Sequence, residues 1–78
     1  MPSQEIPLSD APLKRAMIVV RISGENKQQL RQIGIVRGSD IRVLRHVENS
    51  PWVIQVQDAK MALDSKLVAC LWVRPHET

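Results

Sequence analysis

IRVLRHVENSPWVIQVQDAKMAL, residues 41–63, reads as three strands in close succession. In Ile41 to Val47, a period of two puts Ile41, Val43 and Val47 on one face, interrupted by Arg45. Leu44 falls on the opposite face beside Arg42 and His46. Glu48-Asn49-Ser50-Pro51 is a cluster of turn formers. Trp52 to Gln57 then alternates, with Trp52, Ile54 and Val56 on one side and Val53, Gln55 and Gln57 on the other. The first set is assigned to the core, Trp52 included. Asp58-Ala59 reverses the chain, and Lys60 to Leu63 returns.

Outward from this block, Asp64-Ser65-Lys66 reads as a single helical turn capped by Asp64. Ala69 to Arg74 is the closing strand, ended by Pro75. On the N-terminal side, Ala16 to Ile22 is a strand. Its four consecutive apolar residues, Met17 to Val20, imply burial on both faces or a change of twist midway. Glu25 to Ile33 is the main helix, started by Ser23 or Gly24 and apolar at Leu30 and Ile33. Gly34 sits where a helix ends in positive φ, and Gly38 with Ser39-Asp40 forms a turn. Residues 1–12 carry three prolines and read as a partly loose lead-in from which Ile6 and Leu8 are able to dock on the core.

The sum is five short strands with one or two short helices, and turn signals every ~8–12 residues suggest a small sandwich or barrel. Closure also removes exposed strand edges. Seventy-eight residues make one small domain with no room for an interdomain cleft, so a multidomain enzyme is excluded. Nine Val and seven Ile, with no Phe or Tyr and two Trp, fit a β-branched core. The net charge of +3 is a mild excess, read first as solubility. A single cysteine forms no intrachain disulfide, and a free thiol suits a reducing compartment. No signal-peptide pattern and no membrane-length apolar run are present, so the expected location is the cytoplasm.

Little chemistry is available. The metal-ligand candidates His46, Cys70, His76 and Glu77 lack the close spacing of a structural zinc site. They are read as a small buried thiol with solvent-facing imidazoles. Cys70 with His46 is the only nucleophile–base pairing worth naming, and Cys70 lies in an apolar run, where a thiol is more often inert. Carboxylates are scattered, and Gly34 and Gly38 lack the Lys-Ser/Thr of a phosphate loop. No enzymatic activity and no cofactor are expected. Arg31, Arg37, Arg42 and Arg45 are candidates for a nucleic-acid patch, but base-stacking aromatics are nearly missing. Partner binding is the favoured class. Trp72 lies between Leu71 and Val73, so it points outward if those two point in. The alternative is that it packs under the N-terminal segment or the helix.

The stretch from Leu30 to Val73 resembles the FeoA family, small cytoplasmic partners of the FeoB ferrous-iron transporter. The matching pieces are Leu30, Ile33-Gly34-Ile35, Val36, Arg37 and Gly38, then Ile41 and Val43, Ser50-Pro51, Met61-Ala62-Leu63, and Leu71-Trp72-Val73. Leu8, Asp10 and Pro12, leading into Val19-Val20-Arg21-Ile22, extend it to the front half. The likeness covers residues 8–73, and the domain is bounded at 8–75. Departures include Arg37 for the usual Pro, Gln29 for a basic residue, Leu13 for Gly and Val68 for Ala.

The resemblance implies a small SH3-like five-stranded β-barrel without catalysis. It also implies a role in ferrous-iron uptake, through binding the cytosolic part of a membrane transporter with a GTP-binding domain. The same fold forms the C-terminal domain of iron-dependent repressors. No helix-turn-helix precedes it here, so a complete repressor is not expected. Trp72, Leu44 and Arg37 are the partner-contact candidates, and Gly34 and Gly38 are structural turns. The alternative function is a small-barrel nucleic-acid-binding module. Direct carriage of iron or zinc is a third reading and predicts stoichiometric metal retention.

Overall fold

The structure is a computed structural model and describes residues 5–76. Its strands are β1 (Ile6–Pro7), β2 (Met17–Ile22), β3 (Asp40–Arg45), β4 (Trp52–Val56), β5 (Ala59–Leu63) and β6 (Leu71–Pro75). Two short helices, α1 (Lys27–Gln32) and α2 (Ser65–Val68), complete it, with one 3-10 turn at Leu8–Asp10. All strands join one antiparallel sheet in the order β1-β6-β2-β3-β4-β5.

The expected five-stranded barrel is corrected on two points. There are six strands, and the sheet is not closed. β6 has β2 on one side, and the lead-in places Ile6 and Pro7 opposite Val73 and Trp72 on the other, which adds the sixth strand. β1 and β5 are left as unpaired edges. The two edges are blunted in ordinary ways: β1 is two residues long and ends on Pro7, and β5 exposes Lys60.

Local sequence explains most elements. Trp52, Ile54 and Val56 turn inward as the alternation predicts. Asp64 caps α2, its Oδ1 accepting the Leu67 N–H at 2.9 Å. Helix α1 is shorter than expected, because Gly24 sits at φ 85° and Asn26 starts the helix without a side-chain cap. Its C-terminus is a Schellman motif. Gly34 N–H donates to Arg31 C=O at 3.1 Å, and Ile35 N–H donates to Leu30 C=O at 2.9 Å. Gly34 takes φ 95°, and the apolar contact of the motif joins Leu30 to Ile35, both fully buried. Ile33, expected in the core, is 40% exposed instead, since the reversal at Gly34 gives its place to Ile35.

Two bulges reset the faces. β2 shifts register against β6 between Val19 and Arg21, which is the twist change anticipated for its apolar run. β3 shifts against β4 between Val43 and Arg45 and ends there. Ile41 and Val43 face the core, but Val47 lies beyond the strand and is exposed, against expectation. Apart from Trp52 the core is built on aliphatic residues and Met17, among them Leu8, Val19, Leu30, Ile54, Leu71 and Val73.

Candidate functional site

The site is best built from the loop after α1. Ser39 is buried, and its Oγ accepts the Val36 N–H at 3.0 Å. Its backbone N–H donates to Val36 C=O, closing the loop upon itself. Gly38, at φ 93°, turns its N–H onto Val19 C=O at 2.7 Å, and Val19 N–H donates to Ser39 C=O at 3.0 Å. The loop is thus stitched to β2, and Val36 and Arg37 are held beside it.

The result is a groove of about 370 Å³ between three segments. β2 contributes Val20, Arg21 and Ile22; α1 contributes Lys27 and Arg31; the loop contributes Ile35, Val36 and Arg37. Four cations surround an aliphatic floor, and no acidic side chain lines it. Trp72 lies outside this lining and connects to it through Arg21. Leu71 and Val73 are fully buried, so Trp72 faces outward and is half-buried. The Arg21 guanidinium covers its ring, 4.6 Å from the centroid. Arg21 also pairs with Glu5 at 3.5 Å.

Of the sequence candidates, Arg37 stands in the groove, and Trp72 reaches it through Arg21. Leu44 does not line it; it lies half-buried at the β3 bulge. The proposed arginine patch is divided. Arg31 and Arg37 share the groove, Arg42 borders a separate cavity with Asp40 and His76, and Arg45 borders a third with Val47 and Pro51. Sequence reading missed Arg21 and Lys27 as groove residues. Arg21 interrupts an otherwise apolar strand, a signal of outward orientation, but nothing local says what it covers.

The metal candidates are dispersed. Cys70 is half-buried; its thiol accepts from Asn26 Nδ2 at 3.8 Å and donates to Lys66 C=O at 3.3 Å. His76 Nδ1 lies 3.1 Å from Asp40 Oδ1. His46 stacks on Trp52 at 3.5 Å between centroids, and Trp52 Nε1 is buried with no partner. Glu77 lies outside the described residues. Among the described residues no three His, Cys, Asp or Glu side chains gather as a metal cluster, and no helix is long and apolar enough to cross a membrane.

The described residues form a small, mainly antiparallel β domain with a cationic surface groove. Residues 6–75 match the model of the FeoA domain, and the chain belongs to that family, which is associated with ferrous-iron transport. An iron uptake regulatory protein of the FeoA type superposes with a TM-score of 0.81 at 29% identity, covering 94% of this chain and 99% of that one. The FeoA of Stenotrophomonas maltophilia, solved with zinc and described as a procaryotic SH3 domain protein, gives 0.73 at 24%, covering 87% and 88%. A manganese-dependent transcriptional repressor gives 0.86 at 22%, with 97% of this chain matching 44% of that one. The last two establish likeness of fold. No curated protein matches the chain by sequence.

Proposed function

We propose that this chain is a non-catalytic accessory protein for ferrous-iron uptake, acting by binding the cytosolic part of a membrane GTP-binding transporter of the FeoB type. It works in the cytoplasm and is drawn to the inner face of the membrane by that partner. Family membership supports the link to iron transport. A surface contact requires no cofactor.

One observation carries the binding part: an outward Trp72 is stacked under Arg21, which lines a cationic groove together with Arg37. Trp and Arg are the residue types most enriched where interfaces concentrate their energy. The Arg21 stack fixes both side chains before a partner arrives, which lowers the ordering cost of association. Leu44, on β3, is a secondary contact.

A pull-down with the transporter's cytosolic domain, with and without guanine nucleotide, tests the reading. Retention by the wild-type chain is expected. No retention at protein concentrations of about 50 μM, under either condition, overturns it, because even weak specific interfaces register in that range.

A further inference from the structure

We propose that the groove between β2, α1 and the 35–37 loop seats an extended acidic segment of the partner, with carboxylates alternating with aliphatic side chains. This deepens the partner-binding reading and rests on it.

Charge points to the acidic half of the occupant. Arg21, Lys27, Arg31 and Arg37 converge from three segments with no acid in the lining. Lys27 and Arg31 stand at i and i+4 on α1, so they repel each other instead of pairing. Among the described residues, Lys27, Arg31 and Arg37 form no ion pair. Glu5, outside the lining, sits 3.5 Å from Arg21 Nε, which illustrates that carboxylates suit these guanidinium groups and leaves Lys27, Arg31 and Arg37 for a partner's acids.

The floor points to the aliphatic half. Val20, Ile22 and Val36, which are at least partly exposed, offer nothing to a bare phosphate but pack against Leu or Val.

The sheet supplies the backbone. β2 pairs with β6 as far as Ile22, but with β3 only at Met17 and Ile18. Beyond the two hydrogen bonds that Val19 makes with the loop, Val20–Ile22 has no strand on the groove side among the described residues. An extended segment laid along this edge meets main-chain groups while its alternate side chains reach the cations and the floor. Strand addition works in this way.

The test uses the full chain and a fluorescein-labelled peptide alternating Glu with Leu and Val, followed by anisotropy. Sequence-matched peptides with Gln or Lys in place of Glu, inorganic phosphate and a single-stranded oligonucleotide are the comparators. Binding of the Glu peptide is expected to weaken roughly tenfold in the Arg31→Glu, Arg37→Glu double variant, since two charge-assisted contacts become repulsive. Arg45→Glu, outside the groove, leaves it unchanged. Both variants change exposed side chains, and matching melting curves confirm that they fold. Equal binding of the Glu and Gln peptides, no effect of the double variant, or binding of phosphate or the oligonucleotide without the Glu peptide each overturns the proposal. The transporter's cytosolic domain separates the two readings. If it binds the double variant as well as the wild type, the groove assignment fails and the transporter reading stands. If it binds neither while the Glu peptide binds the wild type, the transporter reading fails.

Discussion

The guanidinium of Arg21 lies over the indole of Trp72, 4.6 Å from the ring centroid, and the two residues are cross-strand partners on β2 and β6. The bulge after Val19 makes this pairing, because it resets which β2 residue stands opposite Trp72. The stack joins the chain's one outward indole to the cationic groove.

Replacing Arg21 by Gln should cost little stability, about 0.5–1 kcal/mol, the worth of a cation–π contact at an open site. The Glu5 pair adds little, since both side chains are largely exposed. Urea denaturation checks this. A loss of several kcal/mol would mean that Arg21 is structural and not part of a binding surface.

Gly34→Ala should destabilise by about 1–2 kcal/mol, the cost of a left-handed backbone for a residue with Cβ. An added Cβ meets nothing within 4 Å, so the penalty comes from backbone conformation and not from a clash. Gly34→Asn, which tolerates that region better, should recover part of it in the same denaturation series.

Asp64→Ala removes the acceptor of the Leu67 N–H and should cost about 1 kcal/mol. Asp64→Ser, which can still cap, should lie near the wild type. Leu67 and Val68 are buried, so loss of the cap also loosens the approach to β6. Amide hydrogen exchange at Val68 and Cys70 reads that loosening directly.

His46→Ala should shift Trp52 emission to longer wavelength when measured in a Trp72→Phe background. The imidazole stacks on the Trp52 ring at 3.5 Å and 9° and shields it from water. Unchanged emission would mean that β4 and its neighbours cover Trp52 by themselves.

What could be read from the sequence was local. Asp64 three residues before the N–H it caps, Gly34 directly after a helix, and the alternation of Trp52, Ile54 and Val56 each act within a few residues of chain. What escaped was non-local. Pairing of Ile6 and Pro7 with β6 joins residues more than sixty apart and adds the sixth strand, and two residues leave no periodic pattern to detect. Ile33 and Val47 were assigned inward by extending a period past the reversal or bulge that ends it. At the site, Arg37 and Trp72 were visible as residue types in place. Their link was not, because Arg21 faces Trp72 only through the β2–β6 register. Leu44 is apolar on a face that reads as polar, yet it stands apart from the groove.

The central claim is that this chain works by docking on the transporter's cytosolic domain through Trp72 and the groove that Arg21 joins to it. Calorimetric titration of that domain with wild-type and Trp72→Ala protein, with guanine nucleotide present, tests it most directly. The account predicts saturable binding by the wild type, with affinity weakened roughly tenfold or more in a variant that melts as a folded protein, as for a typical aromatic anchor. Equal affinity of the two proteins would contradict it.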